Sequence, residues 1–479
     1  MDVAKQYLQT RSTIDIAEDK LLMNIDKYSY RLNFDQILSH VKEFISKDNQ
    51  SNRWFVISGL RGVGKTTLVL QIYKWLFLNH KDEINLIYFS LDKVQEYNID
   101  LLESLHIYEQ ILGQKLSQMN KLTFIFIDEI QVNNRWAKIL KTIYDDNPNI
   151  FFICTGSSAT YLQLTADVYG RRAKVIKLLP LSFAEYQMFD KHIAVNNPLR
   201  QKLLEIIYYS QSANKVYASL NQLTAQIQFQ LKKYDFRQLD DYLKFANMPL
   251  VFDKDVKDVY TTLQNSIKAV IQEDLTYYGR DFTSNTSLSI KKLLIYLATS
   301  SDILTFNKLT KLLKLSHAQL DAIFNALVTA ELLVKIPAFG KEIKNAKKPV
   351  RYNFISSSLR YSYFDIVGHK AVALARRGLL LEDMASLHYC KEFSSYDKGQ
   401  LTYYYDNHNG GHCDFILKLA DDTNIALEFG LPSKDDRQIN QTMSKINNCK
   451  YGLVFAKNHL ELSNNQQVVS IPLEYFFLM

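Results

Sequence analysis

Residues Gly59-Leu60-Arg61-Gly62-Val63-Gly64-Lys65-Thr66 follow the spacing G-x-x-x-x-G-K-[ST], between a strand-like run and an apolar-periodic helix from Thr67 to Leu78. Glycines at these positions let successive backbone N–H groups turn inward around a β-phosphate at a helix N-terminus. Lys65 is then placed to reach β- and γ-phosphate oxygens, and the Thr66 hydroxyl to ligate Mg²⁺, with Thr67 closing the segment. The chemistry implied is binding of ATP, or a close relative, with magnesium, followed by hydrolysis.

Phe124-Ile125-Phe126-Ile127-Asp128-Glu129 is an apolar run ending in two carboxylates, which places both acids at the C-terminal edge of a buried strand. Asp128 is expected to hold Mg²⁺ through its water shell, and Glu129 to orient and deprotonate the attacking water. Two acids can also merely end a strand and cap the next helix. Beside a P-loop the chemical role is preferred. Ile153-Cys154-Thr155-Gly156-Ser157-Ser158 is a third such run, suited to putting a hydroxyl near the γ-phosphate, Ser157 slightly ahead of Ser158. A turn built on serine hydroxyls would use the same residues. Arg171 and Arg172 could neutralise charge on a transferring phosphoryl group, in their own subunit or a neighbour's, or could form a solvated surface pair.

The elements that must position these groups read as an α/β fold. Apolar runs at Trp54 to Ser58, Ile84 to Ser90, Leu122 to Asp128, Ile150 to Thr155 and Lys174 to Leu179 alternate with helical patterns. Lacking polar alternation, they suit strands buried on both faces of a parallel sheet. From Phe183 the pattern turns helical, with a polar stretch from Ser210 to Gln238. Between about Leu288 and Phe354 come three short helical patterns and two β-like runs, Leu332 to Ile336 and Val350 to Phe354, joined by a basic turn: the outline of a winged helix. The last segment opens with a helix and continues with strands at Leu401 to Tyr405, Asp414 to Lys418, Asn424 to Phe429 and Tyr451 to Phe455. Four domains are expected: 1–182, 183–287, 288–360 and 361–479.

Composition fits this reading. A chain of 479 residues, 47% hydrophobic and 22% charged, is long enough for several cores and too apolar for general disorder. The net charge of +7 is mild for its length. No run reaches the ~18 apolar residues that span a bilayer, and the four cysteines lack any CxxC pairing. A cytoplasmic protein with free thiols is the expectation.

Asp128-Glu129-Ile130-Gln131, Thr155-Gly156-Ser157-Ser158-Ala159, Gly170-Arg171-Arg172 and Leu179-Pro180-Leu181-Ser182-Phe183-Ala184-Glu185-Tyr186 together resemble prokaryotic AAA-type ATPases that carry a C-terminal DUF4143 region. The resemblance implies an additional-strand P-loop sheet, with Ser157 at the sensor position and Arg171 as the family's arginine. It continues at Asp274-Leu275, Tyr352-Asn353-Phe354 and Leu359-Arg360, and reaches a restriction-endonuclease-like end at Gly378 to Glu382, Tyr403-Tyr404-Tyr405, Cys413 to Ile416 and Leu427 to Gly430.

A nuclease of that kind uses an acid, then acid-x-lysine, to bind a divalent cation and activate water. Asp414 and Glu428 fit the two acids and Glu382 a third, but Gly430 stands where the lysine should be, so a retained fold used for binding is expected rather than cleavage. His408, His412 and Cys413 cluster in sequence, though a hairpin turn with exposed histidines accounts for them. Lys341, Lys344, Lys347, Lys348 and Arg351 on the wing could contact DNA phosphates, or form a solvated loop. Three functions remain in view: an ATP-driven switch whose C-terminal half contacts DNA or a protein partner, an ATP-gated assembly module with little turnover, and an ATP-gated nuclease.

Overall fold

The structure is a computed structural model. It describes residues 6, 8, 22, 24–47, 52–157, 168, 171–273, 275, 284–300, 306–340, 348–366, 377–393, 399–404, 412–430, 436–456 and 458–479. The chain forms two compact units, Met1–Leu179 with Gln272–Asp281, and Pro180–Ile271 with Phe282–Met479.

The first unit is built on a parallel sheet of β1 (Trp54–Ser58), β2 (Asn85–Ser90), β3 (Thr123–Asp128), β4 (Ile150–Gly156) and β5 (Lys174–Lys177), in the order β2-β3-β4-β1-β5. Every residue of β1, β3 and β4 is buried. Runs rich in Phe, Ile and Val meet that requirement, because helices cover both faces and a polar side chain buried there would give up its water. The helices are α1 (Asn33–Ile45), α2 (Lys65–His80), α3 (Leu91–Gln95), α4 (Leu101–Leu112) and α5 (Trp136–Asp146). In α1, Phe34, Ile37, Leu38, Val41 and Phe44 recur at helical spacing and are buried, and Phe44 meets Phe124 and Phe151 edge-on at 5.5 and 5.2 Å. Asp100 caps α4 by accepting from the Glu103 N–H, and Gly113 ends it in the left-handed region.

Register decides where the chemistry sits. Ser58 pairs with Gly156 and Ser90 with Asp128, so the strands end together along one edge. The P-loop, Glu129 and Ser157 all leave from that edge, where ligands of open α/β sheets bind. β4 lies between β1 and β3, the additional-strand order expected above. α2 starts at Lys65, two residues before the expected helix, because its N-terminal turn is itself part of the loop.

The second unit begins with α6 (Phe183–Lys191), α7 (Asn197–Tyr209), α8 (Ala213–Gln222), α9 (Thr224–Leu231) and α10 (Val256–Gln272). Ser182 and Glu185 form a reciprocal capping box that starts α6. The polar stretch from Ser210 supplies α8 and α9, whose buried positions Ala213, Val216, Leu220 and Ile227 face inward. Helices α11 (Ser284–Thr299), α12 (Phe306–Leu313) and α13 (His317–Thr329) precede an antiparallel pair, β6 (Leu333–Ile336) and β7 (Arg351–Phe354), and then α14 (Ser357–Ile366) and α15 (Arg377–Glu392).

A six-stranded sheet completes the unit: β8 (Gly399–Thr402), β9 (Phe415–Leu419), β10 (Asn424–Phe429), β11 (Cys449–Phe455), β12 (Glu461–Leu462) and β13 (Val468–Ile471), in the order β12-β13-β11-β10-β9-β8. β10, β11 and β13 run parallel, with α16 (Arg437–Met443) crossing between the first two. β12 and β13 were not anticipated, since two and four residues carry too little periodicity to read. Leu203, Ile207 and Tyr208 of α7 share one core with Leu381 and Ala385 of α15 and with Leu427 and Leu453 of the sheet. Tyr451 donates its hydroxyl to the Ile207 carbonyl at 3.0 Å, so the helices after Phe183 and the C-terminal sheet are a single packed body. No helix among the described residues is long and apolar enough to cross a membrane.

Candidate functional site

The P-loop is shaped by two backbone demands. Gly64 has φ of 93° directly before α2, a conformation that a side chain strongly disfavours. Gly59 lies so close to the end of β5 that a Cβ there would come within 2.3 Å of the Leu178 carbonyl oxygen. Lys65 is buried, and its ammonium donates to the carbonyls of Gly59 at 2.9 Å and Leu60 at 3.3 Å, which holds it against its own loop. Arg61 pairs with Glu273 at 2.8 Å, while Val63 accepts from Arg31 at 2.7 Å.

Arg31 was not singled out from the sequence. Its guanidinium, 5% exposed, also donates to the Leu179 carbonyl at 2.7 Å, and so clamps the P-loop to the chain leaving β5. Partners separated by 32 and 148 residues leave no local pattern to read.

Asp128 ends β3 facing Thr66, whose hydroxyl donates to it at 2.8 Å. The Thr155 hydroxyl donates to its other oxygen, and Tyr88 approaches at 3.5 Å. Burial, reinforced by the charge of Glu129, pushes the Asp128 carboxyl above its ordinary range, against the two hydroxyls and the Lys65 ammonium. The Asp128 carboxylate and the Thr66 hydroxyl are hard oxygen donors of the kind that suit Mg²⁺.

Glu129 has φ of 54° and ψ of 46°, uncommon for a residue with a side chain, and its backbone N–H donates to the Thr155 hydroxyl at 3.2 Å. Its carboxylate accepts from the side-chain amide of Gln131 at 2.5 Å. Ser157 lies buried at the end of β4, its N–H donating to the Gln131 amide oxygen at 3.2 Å, and its hydroxyl has no hydrogen-bond partner among the described residues. Lys65, Thr66, Asp128, Glu129 and Ser157 therefore meet at one edge. Arg171 is exposed in the turn before β5. Arg172 is bound in two-pronged fashion to Asp145, at 2.7 and 3.0 Å. Ser158, Ala159 and Gly170 lie outside the described residues.

In the second unit the three acids noted above are each held by their own framework. The Asp414 carboxylate accepts from the Phe429 N–H at 2.7 Å, and the Glu428 carboxylate accepts from the Asp414 N–H at 3.0 Å, which cross-braces β9 and β10. Glu382 faces Arg351 at 3.5 Å. Among the described residues no group of three His, Cys, Asp or Glu could hold a metal ion. Arg351, one of the wing residues that could contact DNA or form a solvated loop, turns to Glu382 and to the Asp414 carbonyl at 3.0 Å, over the rings of Tyr403 and Phe415. Lys348 reaches the Phe339 carbonyl at 3.4 Å. Lys341, Lys344, Lys347, Asp274 and His408 lie outside the described residues.

Burial, with Asp414 adding to it and Arg351 opposing, pushes Glu382 up to about 7 from an ordinary 4.5. A carboxyl raised in the fold stabilises while protonated; that contribution is whole below its unfolded value and is lost as pH rises through its folded one. The second unit should lose stability from about pH 4.5 to about pH 7, and Glu382→Gln should remove about 3 kcal/mol of that fall. Urea titrations at both ends of the range measure it, and parallel slopes for the two proteins would refute the assignment.

Residues 51–187 match the family model of an AAA domain. The parallel sheet carrying this P-loop is accordingly an AAA-type P-loop fold. The chain is 28% identical over 464 residues to an uncharacterized protein of Methanocaldococcus jannaschii, covering 96% of this chain and 91% of the relative. It is 28% identical over 150 residues to an uncharacterized protein of Haemophilus influenzae, covering 31% of this chain and 36% of that one. Among solved structures, the Aeropyrum pernix Orc1 protein in complex with DNA is 10% identical over 72% of this chain and 93% of that one, with a TM-score of 0.31, too slight a likeness to carry inference.

Proposed function

We propose that this chain binds ATP with magnesium and hydrolyses it to drive a conformational switch. The observation that carries the reading is the meeting, at one sheet edge, of a P-loop with a buried lysine and of Asp128, which accepts from the Thr66 and Thr155 hydroxyls, with Glu129 beside it. The backbone from Gly59 to Thr67 cradles the phosphates, and Lys65 exchanges its loop carbonyls for phosphate oxygens. Thr66 and Asp128 hold the magnesium, which when bound would neutralise charge on the phosphates. Glu129 takes the proton of the attacking water, Ser157 offers its hydroxyl to a phosphate oxygen, and Arg171 is the candidate cation for charge built up in transfer.

Within the second unit the proposal keeps a winged helix at 288–360, supported by the order α11, α12, α13, β6, β7, and a nuclease-like sheet after residue 361, supported by the β8-β9-β10-β11 arrangement. A DUF4143-type region fits both. That half contacts DNA or a protein partner rather than cutting DNA: Asp414 and Glu428 each accept from a backbone N–H, Glu382 faces Arg351, and Gly430 offers no ammonium. The test is phosphate release by the purified chain, which should require Mg²⁺ and fall to background on chelation with EDTA. Release unaffected by chelation, or none at all with magnesium present, would overturn the reading.

A further inference from the structure

We infer that Gln131 is a positioning residue for hydrolysis, holding the Glu129 carboxylate and tying it to the end of β4. The inference rests on the ATPase reading above and goes one residue beyond it. Glu129 is fixed at two points. Its main chain is held by the Thr155 hydroxyl at 3.2 Å, and its side chain by the Gln131 Nε2 at 2.5 Å. The other end of the same amide accepts the Ser157 N–H at 3.2 Å. Gln131 is 1% exposed and Ser157 3% exposed, so water does not compete for the bond between them, while the bond to Glu129 is half-buried on the side where water must reach the base.

The chemistry selects this residue type. A carboxamide is a neutral group that donates at one end and accepts at the other, which is what spanning from a carboxylate to a backbone N–H demands. Alanine would release both ends. Glutamate keeps the length and can still accept from Ser157, but it offers no donor and sets a second negative charge against Glu129. The buried Ser157 hydroxyl, without a partner among the described residues, gives the arrangement a direction. A phosphate oxygen that engages Ser157 shifts the strand end that Gln131 grips, and the amide passes that shift to the base.

Gln131→Ala and Gln131→Glu should each lower kcat about tenfold to a hundredfold, the scale of a misplaced catalytic group, with KM and ATP affinity changed less than about twofold. In a Glu129→Gln background, Gln131→Ala should lower turnover no further, because the group it positions has gone. The near-isosteric glutamate variant guards against a folding failure in the alanine one. Unchanged kcat in both single variants, a loss confined to KM, or an equal further drop in the Glu129→Gln background would each overturn the inference while leaving the ATPase reading intact. Absence of turnover in the unaltered protein would overturn both.

Discussion

Lys65→Ala should abolish nucleotide uptake, whereas Glu129→Gln should leave uptake intact and lower turnover by a factor of about 10² to 10⁴. The two outcomes differ because the residues act at different stages. Lys65 supplies the one ammonium of the loop, and each charge-assisted bond it makes to a phosphate is worth about 1.5–3 kcal/mol. Two such bonds amount to a hundredfold or more in affinity, by about tenfold for each 1.4 kcal/mol. The helix start and the glycine-shaped amides remain in the variant, but they lose the charge that completes the cradle. Glu129 touches no part of the P-loop's phosphate cradle in this scheme; it faces Gln131 and the end of β4. Equilibrium titration with a labelled ATP analogue, read beside steady-state phosphate release, separates the two. Full uptake by Lys65→Ala, or undiminished release by Glu129→Gln, would remove the basis for the proposed function.

The second large effect is structural. Arg360 and Asp383 form a two-pronged ion pair, at 2.5 and 2.7 Å, with the arginine 2% and the aspartate 0% exposed. The arginine also donates to the Leu297 carbonyl at 2.8 Å, and Asp383 accepts from the Phe354 N–H at 2.9 Å. One pair thus joins α11, β7, α14 and α15. Burial pushes Asp383 up to about 6 even with Arg360 opposing, a sign that desolvation is heavy here. Asp383→Ala strands a buried guanidinium and orphans a backbone donor, and should destabilise the unit by about 3–5 kcal/mol. Replacing both partners with apolar residues, as in Arg360→Met with Asp383→Leu, should recover part of that loss. Urea unfolding reports both. A single-variant effect below about 1 kcal/mol would mean that the pair contributes little to holding these four elements together.

The sheet of the first unit was legible because double-sided burial leaves no room for polar alternation, so β1, β3 and β4 announce themselves as apolar runs. The P-loop was legible because its chemistry is written in eight consecutive residues. What escaped was whatever depends on contacts across the fold. Gln131 stood inside a motif, but its grip on Ser157 spans 26 residues and exists only once β3 and β4 are side by side. Thr155 was read as a strand residue, though its hydroxyl serves both Asp128 and the Glu129 N–H. On α15 the sequence drew attention to Glu382, whereas its neighbour Asp383 carries the buried pair. Successive helical residues point about 100° apart, so the two acids face different surroundings, and nothing local says which face is inside.

The left-handed backbone at Glu129 has an evolutionary corollary. A glutamate held there stores about 1–3 kcal/mol of conformational strain, which glycine or asparagine would relieve. Selection for ruggedness alone would therefore favour the very replacements that disarm turnover, so a hardened descendant of this chain that keeps its glutamate has been screened for work as well as for endurance.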